Sequence, residues 1–278
     1  PFAKPYVAGE NINSVIKTVK KLNDDGFSTT IDILGEFVNS EEEADKIKSE
    51  YSELIKKISI EKLDSTISVK LTHLGLGIDH NLGEKNIHAL SLIGKENNVG
   101  ITIDMENSPY TTKTFEIYNN TLINNEKMGT VIQAYLYRSM NDIKDLDNPK
   151  LNLRICKGIY NESKNIAIQD RLAINDNYFE MAKTLLKGKG YACLATHDLT
   201  LIDRLESFIE KNNVSSDKFE FQVLYGVPMG NKLDKLKQKG YKIRIYVPFG
   251  EAWFEYSVRR LKENPKIISY VLRNLFKK

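Results

Sequence analysis

Eight short runs rich in β-branched and apolar residues alternate along this chain with helix-forming segments. That alternation constrains the fold more than any other feature. The runs are Thr29–Leu34, Ile67–Leu71, Gly100–Met105, Thr130–Tyr135, Asn152–Lys157, Tyr191–Thr196, Phe219–Leu224 and Lys242–Val247. Most are near-continuous in apolar or β-branched residues, as strands covered on both faces are. Helices are expected over Ser40–Ile58, Glu84–Glu96, Pro109–Asn124, a short stretch near Asn141, Ile174–Leu186, Leu199–Asn212, Asn231–Lys237 and Ala252–Asn264. Ser40 followed by a run of glutamates is a good start signal for the first of them. Amphipathic pieces at Asn11–Leu22 and Pro265–Phe276 flank the set. A doubly wound sheet shares the alternation, but eight repeats favour closure, and 278 residues suit it. The expected fold is therefore an α/β, TIM-like (β/α)8 barrel with flanking N- and C-terminal helices, one catalytic domain over residues 1–278. No linker, low-complexity tract or internal repeat divides the chain.

Composition narrows the function. A net charge of +3 on 40 basic and 37 acidic residues gives no nucleic-acid footprint. Cys156 and Cys193 both sit in apolar runs, which points to buried free thiols rather than a disulfide framework. No apolar stretch approaches the ~18 residues of a membrane-spanning helix. There is no secretory signal, although the chain begins at Pro1 rather than Met, which leaves room for a preceding segment. A cytoplasmic location is expected.

Active sites of such barrels lie at the C-terminal ends of the strands. Polar residues gather there: Glu36, Lys70, His73, Asp104, Glu106, Gln133, Tyr135, Arg138, Lys157, Tyr160, Thr196, His197, Asp198, Gln222, Tyr225 and Tyr246. A barrel without function has no need of so many. Lys70 lies within an apolar run, and a buried lysine is costly unless paired or neutral. Asp104 is a candidate partner for it. Asp104 and Glu106 stand two apart, the spacing of an acid/base dyad sharing one face of a strand, with Glu106 alternatively capping the next helix. His73 and His80 flank a glycine-rich loop but make a poor metal site, and no metal is expected. Of the four histidines, His197 is the one assigned to a ligand. Neither a GxGxxG after the first strand nor a GxxxxGK[ST] is present. Gly158 after Lys157 would let a flat ligand approach the backbone.

The last strand is expected to stop at Pro248 and Gly250, with a helix beginning near Ala252 that carries Arg259, Arg260 and Glu263. Paired guanidinium forks just beyond a strand end suit a small carboxylate. An exposed Arg259–Glu263 i,i+4 pair is the plainer reading of the same residues.

Taken together, six motifs resemble the proline dehydrogenase family in that family's order: Val131–Tyr135, Leu153–Tyr160, Ala195–His197, Phe221–Gly226, Arg244–Pro248 and Tyr256–Asn264. The single-domain bacterial branch is the nearer match. The resemblance implies FAD-dependent oxidation of L-proline to 1-pyrroline-5-carboxylate by hydride transfer to flavin N5, with electrons passed to a quinone. It implies that Arg259, Arg260 and Lys70 grip the carboxylate, with Asp104 holding Lys70. Tyr160, Leu224, Tyr246 and Tyr256 would wall the ring pocket, and Glu36 would gate it by pairing with Arg259. Gln133, Arg154, Gly158, Thr196, His197 and Glu263 would contact FAD. One departure stands out: Ile159 replaces the family's usual alanine beside the flavin, which leaves proline against hydroxyproline open. Where the quinone resides, Pro265–Lys278 offers peripheral contact with the inner membrane, though packing as the barrel's last helix is favoured. The rival on the same barrel is a Schiff-base aldolase using Lys70 or Lys157 as amine nucleophile.

Overall fold

The computed structural model describes residues 6–252. Tyr256, Arg259, Arg260 and Glu263 lie outside the described residues, as do Pro265–Phe276 and nearly all of the helix expected over Ala252–Asn264.

Eight parallel strands close into a barrel in sequence order: β1 (Ser28–Ile33), β2 (Ser65–Val69), β3 (Ile101–Ile103), β4 (Met128–Gln133), β5 (Asn152–Cys156), β6 (Tyr191–Ala195), β7 (Phe219–Leu224) and β8 (Lys242–Phe249). β8 returns to pair with β1, Ser28 standing opposite Arg244. Among the described residues the helices are α1 (Ile12–Asp24), before β1, then α2 (Glu41–Ile60), α3 (His80–Glu96), α4 (Thr111–Leu122), α5 (Ser139–Leu146), α6 (Arg171–Lys187), α7 (Leu199–Lys211) and α8 (Lys232–Gln238), each after its strand. The Ser40 hydroxyl caps α2 by accepting the Glu43 N–H at 3.2 Å, and Glu41, Glu42 and Glu43 meet the positive end of its dipole. α3 starts at His80, earlier than expected, because the Asp79 carboxylate caps it through the Asn81 N–H at 2.8 Å.

β8 does not stop at Pro248 but runs through it to Phe249. The Tyr246 carbonyl faces β7, accepting the Tyr225 N–H at 2.8 Å. Pro248, two residues on, faces the same side, where pairing with β7 has already ended at Leu224. The missing proline N–H therefore breaks no ladder bond. The Pro248 carbonyl is taken by the Ala8 N–H at 2.9 Å.

The strands also alternate more sharply than expected. Ile31, Ile67, Val69, Leu153, Ile155, Phe221, Val223, Ile243 and Ile245 join one apolar cluster with the helix residues Tyr51, Leu54, Ile87, Ile117 and Met181. Full burial of each such side chain contributes about 1.5–3 kcal/mol. The residues between them point the other way. Arg154 on β5 donates to Ser68 on β2 at 2.9 Å, and Tyr246 on β8 donates to Asp104 beside β3 at 2.8 Å. Bonds between strands that are not neighbours cross the barrel. Its interior is thus wired by polar side chains rather than packed with branched apolar ones.

Candidate active site

Lys70 lies one residue beyond β2, buried, with its ammonium 2.9 and 3.0 Å from the two carboxylate oxygens of Asp32 on β1. Asp104, just past β3, is more distant at 3.7 Å. Burial alone would pull the Lys70 ammonium down, but Asp32 and Asp104 outweigh it and hold the group above the ordinary lysine value. The half-buried Glu36 on the β1–α2 loop adds to the same field. Lys70 is thus a fixed cation at the strand ends. Anchoring expected of Asp104 falls mainly to Asp32, which the sequence reading passed over.

Asp104 is instead a junction. One oxygen accepts Arg154 Nη1 at 2.6 Å and the other the Tyr246 hydroxyl at 2.8 Å. Arg154, expected among the FAD contacts, lies within β5, buried, its Nε on Gln222 Oε1 at 2.6 Å. Gln222, expected at a strand end, passes the connection inward: its Nε2 donates to Glu220 at 2.6 Å. Glu220 holds Arg244, Nε at 2.6 Å and Nη2 at 3.1 Å. Glu220 is buried, which would raise its carboxyl, yet Arg244 and Gln222 keep it below the usual range. These members face inward because charged and apolar residues alternate along β7 and β8 with period two.

Other expected residues meet at the same end. Gln133, at the end of β4, is buried and donates to the Met105 carbonyl at 3.3 Å, while its Oε1 has no partner among the described residues. Gly158, with φ of +108°, lies under the Tyr135 ring; a Cβ there would come within 2.2 Å of it. The close approach that this glycine permits is therefore made first by tyrosine. Tyr160 is half-buried on the β5–α6 loop, and Leu224 is half-buried at the end of β7. Ile159 is 41% exposed, so the branched residue stands out from the loop rather than filling the core. His197 Nε2 accepts the Leu224 N–H at 2.8 Å, which places the proton of the neutral ring on Nδ1. The Thr196 hydroxyl accepts the Asp198 N–H at 3.1 Å.

Some expectations are corrected. Glu106 caps no helix and forms no dyad with Asp104: buried, it grips Thr72 by accepting its N–H at 3.0 Å and its hydroxyl. Burial raises its carboxyl above the usual range. Arg138 turns from the mouth to Asp142, at 2.8 and 3.0 Å, on its own helix. His73 is buried against Gly35, with Nδ1 unpartnered among the described residues. Burial and nearby Lys70 lower its pKa to about 4. Lys157 is paired with Asp198 at 2.8 Å. Asp32, Ser68, Glu220 and Arg244 were not singled out from the sequence, although the alternation in Thr30–Ile33 and Phe219–Gln222 was there to be read.

Comparison with known proteins agrees with this geometry. The sequence model of a family described as Proline dehydrogenase matches residues 15–273. Proline dehydrogenase 1 of Bacillus subtilis subsp. natto is 39% identical over 276 residues, covering 99% of this chain and 91% of that protein. Proline dehydrogenase of Deinococcus radiodurans is 34% identical over 282 residues, covering 99% and 90%. A crystal structure of proline utilization A (PutA) from Bdellovibrio bacteriovorus, inactivated by N-propargylglycine, superposes with a TM-score of 0.86 at 25% identity. That superposition covers 95% of this chain and 32% of the larger protein.

Proposed function

As this chain belongs to the proline dehydrogenase family, we propose that residues 1–278 form one catalytic barrel that oxidises L-proline to 1-pyrroline-5-carboxylate on a bound FAD and passes the electrons to a quinone. Proline oxidation is the first step of proline catabolism. The observation that carries the reading is Lys70, a buried cation held by Asp32 at 2.9 Å at the strand ends. A permanent charge at the mouth of a barrel is suited to a carboxylate ligand. It is equally unsuited to Schiff-base chemistry, which needs a neutral amine, and Lys157 is engaged by Asp198.

Lys70, with Arg259 and Arg260 from outside the described residues, binds the proline carboxylate and fixes the ring's orientation. Tyr160, Leu224, Tyr246 and Tyr256 wall the ring, Tyr246 being held by its bond to Asp104. Glu36 closes the site by pairing with Arg259. The cluster of cations lowers the cost of a neutral amine, which proline needs if its nitrogen lone pair is to assist loss of hydride from the adjacent carbon. A bound flavin supplies the hydride acceptor. One feature supports a polar cofactor here: the buried Gln133 Oε1, unpartnered among the described residues. Gln133, Arg154, Gly158, Thr196, His197 and Glu263 would hold it.

The test is direct. Purified protein should be yellow, with flavin absorbance, and should reduce an artificial electron acceptor only when proline is supplied. Lys70→Met should raise the proline KM strongly while the flavin stays bound, since a charge-assisted contact contributes about 1.5–3 kcal/mol. A colourless protein, or a variant with unchanged KM, removes FAD or Lys70 from the reading.

A further inference from the structure

The β5–α6 loop, residues 157–170, carries Ile159 and Tyr160, and one carboxylate ties it to a loop beyond the neighbouring strand. We propose that Glu162 is a positioning residue for the substrate pocket: it locks the β3–α4 turn to the β5–α6 loop and so sets the place of Tyr160. This rests on the reading of the site as a proline pocket.

Three observations lead there. Glu162 accepts the Ser108 N–H at 2.6 Å and the Ser108 hydroxyl at 2.8 Å. Ser108 opens the short 3₁₀ turn Ser108–Tyr110, whose own N-cap residue, Asn107, makes no side-chain capping bond. A cap normally supplied by the adjacent residue therefore comes from the far loop. Next, the Glu162 N–H donates to the Tyr160 carbonyl at 3.1 Å, so the two residues share one tight turn and move together. Finally, Asn161, Ser163, Lys164 and Asn165 around Glu162 are exposed, which leaves little packing to hold that stretch. The locked turn also reaches the gate. Tyr110 packs on Phe37 with ring centres 6.0 Å apart, and Phe37 follows Glu36.

The experiment compares the full-length protein with Glu162→Ala, Glu162→Gln and Ser108→Ala. Two readouts separate the lock from the proline reading. Tryptic cleavage after Lys164 should quicken in Glu162→Ala whatever the enzyme oxidises. Steady-state kinetics should show the proline KM rising about tenfold in the same variant, with kcat within about twofold and flavin content unchanged. Glu162→Gln, which can accept the Ser108 N–H at Oε1 and donate from Nε2 to the Ser108 hydroxyl, should recover most of the KM. Ser108→Ala removes one bond and should give a smaller KM rise, which tests the lock even if Glu162→Ala fails to fold. The double variant should be no worse than Glu162→Ala. Unchanged cleavage and unchanged KM overturn the proposal, as does a fall in kcat and flavin content with KM intact. Faster cleavage in a protein that does not oxidise proline keeps the lock and sinks the proline reading.

Discussion

A lysine out of water is stable only with its counter-charge, and here two carboxylates divide that task unequally. Asp32 makes both short contacts, while Asp104 spends its oxygens on Arg154 and Tyr246. Asp32→Asn should therefore let burial pull the Lys70 ammonium down. The pH profile of kcat/KM for proline should gain an alkaline fall that the parent lacks, and stability should drop by about 3–5 kcal/mol for a broken buried pair. An unchanged alkaline limb would show that Asp104 alone suffices. His73 makes a second pH prediction. Its folded pKa, about 4 against an ordinary 6.5, means that the unfolded chain binds the proton first. Stability contributed by the neutral ring is complete above pH 6.5 and is lost as pH falls toward 4, by about 3 kcal/mol in all. His73→Gln should flatten the acid side of a plot of Tm against pH. A slope identical to the parent's would assign the acid loss to other groups.

Elements were more legible than the contacts between them. The strand from Phe219 to Leu224 has the expected ends, because Phe219, Phe221 and Val223 alternate with polar Glu220 and Gln222 at the period of a strand. β3 is shorter than the expected Gly100–Met105: it ends at Ile103, and Asp104 beyond it is held by side chains from across the barrel. Nothing within ten residues of Asp104 announces Arg154 or Tyr246, so that junction was invisible to local pattern. Asp32 was legible in principle, a lone charge between two isoleucines on β1, since such a residue needs a partner inside. Glu162 carried no signal, because its cap lies on another loop. Gly158 allows a sharper test at this scale. Gly158→Ala puts a side chain at φ of +108° and drives it into the Tyr135 ring. A loss above about 1 kcal/mol in thermal or denaturant unfolding is expected. Full stability would mean that Tyr135 swings freely aside.

At the scale of the whole molecule the barrel reverses a common arrangement: its branched residues face the helices, and its lumen holds charge in balance, Asp32, Asp104 and Glu220 against Lys70, Arg154 and Arg244. Glu220→Gln strands the Arg244 guanidinium in that interior and should cost about 3–5 kcal/mol, while adding Arg244→Met should recover part of the loss. Additive losses in the double variant would place the two groups outside one another's influence. The same lumen has a consequence for how such a chain can be divided. The half that ends with β4 contributes two acids and one base to the interior; the half that begins with β5 contributes two bases and one acid. Each half is thus electrostatically the complement of the other and repels its own copy. Co-expressed halves should reassemble with each other, whereas neither should close on itself as a symmetric pair.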